Sequence, residues 1–219
     1  MGKRVGVLLS GCGVFDGAEI HESVLTLLFL DRAGADVICA APNTKQAHVL
    51  NHMSQEEMDE TRNVLIESAR IARGNIVDLK NLSVDHIDAL IIPGGFGAAK
   101  NLSNFAMKGP DATVHPEVQR ILDQMSAAGK PIGALCIAPA TLTKALCDRH
   151  PEVTIGTDVG TANAIQTMGG EHRTCHVDEI CVDHKNKLVT TPAYMLGPGI
   201  KDIATGIEKL VAQVLALVD

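Results

Sequence analysis

Short apolar runs alternate along this chain with longer stretches of helical spacing. Arg4–Ser10, Ala35–Ala41, Ile87–Ile92 and Ile132–Leu135 read as strands. Each is a brief, nearly continuous apolar run, the mark of a strand buried on both faces. Between them lie predicted helices at Glu19–Ala33 and Thr61–Arg73, and a third carrying Val114, Val118, Ile121, Leu122 and Met125. Gly34, Gly74 and Gly129 stand where those helices should stop. A helix follows Leu135 to about Cys147, then a short strand at Val153–Ile155 and a short helix at Thr161–Met168. Glu179–Asp183 and Lys187–Thr191 flank His184-Lys185-Asn186 and predict a hairpin. The last helix places Ile200, Ile203, Ala204, Ile207, Leu210, Val211 and Val214 on one face. This order predicts an α/β fold: one domain over residues 1–219, with a mostly parallel, twisted sheet sandwiched by helices. Ligands of such sheets bind beyond the C-terminal strand ends, at a switch point. The loops Gly11–Gly17 and Gly94–Lys100 and the turn after Leu135 therefore become the places to look for chemistry. The first helix is apolar nearly all round over Val24–Leu30, so either the core surrounds it or it lies in a subunit interface.

The turn after Leu135 is the most informative of the three. In Lys130-Pro131-Ile132-Gly133-Ala134-Leu135-Cys136-Ile137-Ala138-Pro139 an apolar run ends abruptly at one cysteine. Ala134 and Ala138 lie two residues to either side. Larger side chains there would collide in a sharp strand–turn–helix junction, so the pattern reads as a nucleophile elbow. A thiol at a helix N-terminus meets the positive end of the dipole, which favours its thiolate. The same pattern also suits a buried cysteine acting as a small hydrophobe. In Pro93-Gly94-Gly95-Phe96-Gly97, glycines let the backbone turn its N–H groups toward a ligand. Gly95 N–H and Ile137 N–H would make an oxyanion hole. Lys100, Asn101 and Ser103 could line the rim, although Asn101 also reads as a helix cap. Glu19 and Glu22 share roughly one face at the start of the first helix. They serve either as favourable charge at a helix N-terminus or, beside a thiol, as a general acid–base group.

Composition narrows the function classes. A net charge of −7, with four Phe, one Tyr and no Trp, argues against nucleic acid as a partner. No apolar run reaches the ~18 residues of a membrane span, and Met1–Arg4 leads straight into a strand. Six cysteines without a C-x-x-C pair point to reduced thiols rather than a disulfide framework, and so to the cytoplasm. His48 and His52, and His172, Cys175 and His176, lack a second cluster at metal-ligand spacing; no metal or cofactor is expected. His176-Val177-Asp178 looks like the end of a cysteine triad, but it precedes the hairpin rather than the last helix.

The elbow, the Gly-Gly strand end and the helix-1 glutamate together resemble the ThiJ/PfpI superfamily, which has a class I glutamine-amidotransferase-like, flavodoxin-like fold. Within it the chain resembles the ElbB family, the enhancing-lycopene-biosynthesis or sigma cross-reacting proteins. The strings that carry this are Ser10–Gly17, Thr61–Leu65, Pro93–Ser103, Cys136–Pro139 and Thr190-Thr191-Pro192-Ala193-Tyr194. The resemblance implies a homodimeric, cofactor-independent glyoxalase that converts glyoxal, a small dicarbonyl, to glycolate. Cys136 falls on the superfamily's nucleophile and Glu22 on its glutamate. Its histidine would fall near Gly156 or Thr157, where there is none; Asp158 is the nearest titratable group. Thioester hydrolysis loses its usual base there, which implies modest activity. The amidotransferase His-x-Glu pair is replaced by Thr190–Met195. Two other functions follow from the same residues: a redox or reactive-carbonyl sensor with Cys136 as the oxidisable thiol, and an amidotransferase-like subunit of a partner enzyme.

Overall fold

A computed structural model describes residues 2–218. Nine strands are formed: β1 (Arg4–Leu8), β2 (Asp36–Ala41), β3 (Ile76–Asp78), β4 (Ala89–Ile92), β5 (Ile132–Leu135), β6 (Glu152–Val153), β7 (Glu171–His172), β8 (Cys181–Asp183) and β9 (Leu188–Thr191). The helices are α1 (Ile20–Arg32), α2 (Val64–Ile71), α3 (Phe96–Lys100), α4 (Phe105–Lys108), α5 (Pro116–Ala127), α6 (Ala138–Ala145), α7 (Val159–Thr167) and α8 (Ile200–Ala216). Seven strands make one sheet in the order β3-β2-β1-β4-β5-β9-β8. All neighbours are parallel except β8, which returns antiparallel on β9 as the predicted hairpin. β6 and β7 form a separate parallel pair.

Period-two alternation divides the core between the two sheet faces. Val5, Val7, Ala89, Ile91 and Val189 point into one apolar cluster with Phe29 and Leu30 of α1 and Ile207, Leu210 and Val214 of α8. Leu8, Leu90, Ile92, Ala134 and Leu188 point into the other, with Ile121, Leu122 and Met125 of α5 and Leu142 of α6. Both faces of β4 and β5 are fully buried, which is why these strands read as unbroken apolar runs. The strand order reverses at β1 and β4, whose carboxyl ends lie side by side; that crevice is the switch point.

Several expectations shift by a few residues for local reasons. The first strand ends at Leu8 rather than Ser10, and the fourth starts at Ala89 rather than Ile87. The helix expected from Thr61 starts after Asn63, whose side chain accepts from Ile66 N. Val114 is outside α5. His115 precedes Pro116 and takes an extended conformation, while Val114 bridges to Ser103. The strand expected at Val153–Ile155 is Glu152–Val153, and β3, β7, α3 and α4 were too short to leave a periodic signal. α1 is neither enclosed by the core nor fully polar outside. Its inner face packs on α8 and the sheet, while Ile20, Val24 and Leu28 form an exposed stripe at intervals of four.

Candidate active site

The chemistry assembles where the loops after β1, β4 and β5 meet. Cys136 directly follows β5 with φ +58, a left-handed conformation costing an L side chain about 1–3 kcal/mol. A bond from its N–H to Thr191 O of β9, 3.0 Å, helps fix the turn, and Ala134 and Ala138 are fully buried beside it. The elbow is thus built as the small-residue frame predicts. Gly94 and Gly95 close the other side. A Cβ on Gly94 would lie 2.4 Å from Cys136 Cβ and 2.6 Å from Glu22 Oε2; one on Gly95, where φ is +87, would lie 2.4 Å from Glu19 N. Only bare backbone can pass here. The β1 loop is sewn to this wall by Phe96 N to Val14 O, 2.7 Å, Gly97 N to Gly17 O, 2.8 Å, and Glu19 N to Gly94 O, 2.9 Å.

Glu22 is completely buried and reaches the sulfur. Its Oε2 accepts from Gly94 N at 2.9 Å and its Oε1 from Tyr194 N at 3.1 Å, and its carboxyl hydrogen-bonds Cys136. Burial, with the charge of Glu19 second, pushes Glu22 up to about 8. Cys136 is also pushed up, first by burial and then by the charge of Glu22, against N–H bonds from Gly95 and Ile137 that stabilise the sulfur anion. This corrects the expectation that the helix terminus alone favours a thiolate: desolvation outweighs it. The two groups are coupled. Their hydrogen bond raises the thiol and lowers the acid, as expected when the sulfur donates to the carboxylate, so the two protonations are linked.

The proton on Glu22 makes stability pH-dependent. Below the ordinary carboxyl value of 4.5 the group is protonated in both folded and unfolded chain, and its contribution is fully present. As pH rises toward about 8 the unfolded chain ionises while the folded one holds the proton, so stability is lost across that window. The expected loss is on the order of a few kcal/mol. Urea unfolding between pH 5 and 9, read as the difference between the native chain and Glu22→Gln, checks it; parallel curves would refute it.

The other predicted residues take supporting places. Glu19 caps α1, accepting from Glu22 N at 2.7 Å, and is nearly buried beside Glu22. Lys100 and Asn101 are committed to the β1 loop rather than to a rim. Lys100 Nζ donates to Phe15 O and lies 5.2 Å above the Phe96 ring; Asn101 Nδ2 donates to Ser10 O and Asp16 O. Ser103 bonds Thr141. Asp178 pairs with Lys209 of α8, and His176 offers its N–H to Glu179, so His176-Val177-Asp178 does not assemble a triad. No set of three His, Cys, Asp or Glu residues able to hold a metal ion occurs among the described residues. A cavity of about 740 Å³ opens along β8, lined by Arg173, Cys175, Cys181 and Lys209 among others, and includes none of the predicted site residues. Two contributors went unpredicted: the Gly94 and Tyr194 backbone N–H groups that grip Glu22. Backbone donors leave no side-chain signature; the only hint was Thr190–Tyr194 as a matching string.

The model of the DJ-1/PfpI family matches residues 12–195. The chain belongs to this family. Among curated relatives, it is 50% identical to the human glutamine amidotransferase-like class 1 domain-containing protein 3, mitochondrial, over 98% of this chain and 83% of that protein. The zebrafish ES1 protein, mitochondrial, is 36% identical over 88% of this chain and 77% of that protein. A crystal structure of an Ehrlichia chaffeensis isoprenoid biosynthesis protein with an amidotransferase-like domain superposes with a TM-score of 0.93 at 38% identity, covering 99% of this chain and 100% of that one. Glyoxalase III from Candida albicans shares the fold, with a TM-score of 0.65 at 14% identity, covering 99% and 98%. Of the two positions at which a histidine was expected, Gly156 is closed and Thr157 is exposed. Gly156 has φ +94, and a Cβ there would meet the Leu196 side chain at 2.7 Å. Asp158 is no substitute, for its carboxylate caps α7 through Thr161 N, 2.7 Å, which holds it below the usual range.

Proposed function

We propose that this DJ-1/PfpI protein is a glutathione-independent glyoxalase of the ElbB type, converting glyoxal to glycolate. The observation that carries this is the buried Cys136–Glu22 pair with Gly95 and Ile137 N–H groups on the sulfur. Cys136 sulfur adds to one aldehyde carbon, forming the C–S bond of a hemithioacetal; its thiol proton passes through Glu22 to the alkoxide oxygen, which the two N–H groups hold. Glu22, as carboxylate, removes the proton from that carbon and returns it to the neighbouring carbon, giving a thioester. Water then releases glycolate and the thiol. Among the described residues no cationic side chain acts on Glu22 or Cys136, which suits a small neutral dicarbonyl better than a carboxylated substrate. Glycolate production from glyoxal by the purified chain tests the reading. Peroxide-driven mass gain at Cys136 with no turnover would favour the sensor, and glutamine hydrolysis only beside a partner enzyme would favour the amidotransferase-like subunit.

We also propose a homodimer that covers the exposed Ile20, Val24 and Leu28 stripe of α1. Val24→Asp with Leu28→Asp is expected to shift the mass measured by sedimentation from two chains to one. A native chain that sediments as a monomer would refute the dimer. For location we favour a reducing compartment such as the cytoplasm, on the strength of six free cysteines. The relatives named above are called mitochondrial, which does not fit a plainly cytoplasmic location. No helix among the described residues is long and apolar enough to cross a membrane.

A further inference from the structure

The last step of the glyoxalase chemistry needs a group that takes a proton from water as it attacks the thioester, and Glu22 is badly placed to be that group. It is sealed from solvent, and both oxygens are already engaged by Gly94 and Tyr194 N–H groups. Neither position expected for a histidine carries one: Leu196 packs over Gly156, and Thr157 is exposed. One imidazole is linked to the site through Tyr194. His21 is the neighbour of Glu22 on α1, is exposed, and its Nδ1 lies 2.7 Å from Tyr194 Oη. Tyr194 is the residue whose N–H grips Glu22, so one residue ties the buried acid to a solvent-facing imidazole.

From this juxtaposition we infer that Tyr194 and His21 form the water-activating relay of the thioester-hydrolysis step, with His21 acting through the phenol. The inference rests on the glyoxalase reading. Water oxygen bonds the thioester carbon while one of its protons passes to Tyr194 Oη and the phenol proton passes to His21 Nδ1. The C–S bond breaks, and its electron pair returns to Cys136 sulfur. The second water proton leaves the product carboxyl for that sulfur, and glycolate departs. His21, facing solvent, releases the first proton to bulk. Burial and the charges of Glu19, Glu22 and Asp202 push the Tyr194 phenol up, so it enters the relay with its proton in place.

The test is rapid mixing of glyoxal with the native chain, His21→Ala, Tyr194→Phe and Cys136→Ala, followed by acid quench and intact-mass measurement. His21 is exposed and Tyr194→Phe keeps the ring, so both variants should fold as the native chain does. The expected result is that His21→Ala and Tyr194→Phe accumulate a glyoxal adduct on Cys136, with turnover reduced about ten- to a hundredfold. Added imidazole restores turnover to His21→Ala but not to Tyr194→Phe, a response that a merely structural His21 would not give. Wild-type turnover in both variants without adduct overturns the relay alone. Turnover that survives Cys136→Ala, or its absence together with any adduct in the native chain, overturns the glyoxalase reading and the relay with it.

Discussion

Cys136→Ala brings glyoxal turnover to background, and Glu22→Gln lowers it by about two to four orders of magnitude. Cys136 forms the only covalent bond to substrate, so no other group can replace it. Gln in place of Glu22 cannot accept the proton from the substrate carbon, and it sets an amide N–H against either the Gly94 or the Tyr194 N–H that the carboxyl now accepts. Glu22→Asp keeps the acid but withdraws it by one methylene from Cys136, and should fall between the two. These losses are chemical, not structural. Cys136 occupies a left-handed backbone position that alanine tolerates no better, so Cys136→Ala should unfold near the native midpoint. Cys136→Gly, which relieves the strain, should be more stable than Cys136→Ala by about 1 kcal/mol and equally inactive. The check is steady-state glycolate formation beside thermal unfolding of the four variants. Activity retained in Cys136→Ala would refute the nucleophile.

The sheet was legible because its central strands are buried on both faces. Leu90, Ile91 and Ile92, and Ile132 to Leu135, can be nothing but interior, and parallel pairing follows from the helices between them. The elbow was legible for a different reason: a steric rule dictates Ala134 and Ala138 whatever the rest of the chain does. The state of the thiol was not legible. A helix terminus is visible in sequence, but the burial that outweighs it, and the charge of Glu22, 114 positions earlier, come only with the folded site. Lys100 and Asn101 were open between roles in a similar way. Polar residues after a glycine turn suit a rim, yet here the loop after β1 carries carbonyls of Ser10, Phe15 and Asp16 that need donors, and these two side chains supply them. His21 gave no signal, since an exposed histidine on a helix differs from its neighbours only by what Tyr194 brings to it.

Gly94→Ala and Gly97→Ala should each destabilise the fold, by about 3 kcal/mol for Gly94→Ala and by more for Gly97→Ala, with distinct consequences for the site. A methyl on Gly97 meets Gly17 C and Ser10 O at 2.5 Å. Both are backbone atoms of the loop after β1, so relief requires that loop to part from α3 and give up the Gly97 N to Gly17 O bond. A methyl on Gly94 meets Cys136 Cβ at 2.4 Å, Glu22 Oε2 at 2.6 Å and Leu135 O at 3.0 Å. The flexible partner there is the Glu22 carboxyl, which can swing aside, so part of the strain is relieved by separating the acid from the thiol. Gly94→Ala should therefore lose turnover out of proportion to its stability, while Gly97→Ala loses stability first and keeps activity in whatever fraction remains folded at low temperature. Urea midpoints together with turnover per folded molecule at 10 °C separate the two. If Gly94→Ala turns over like the native chain while folded, the contact between Glu22 and Cys136 is not what the reaction depends on.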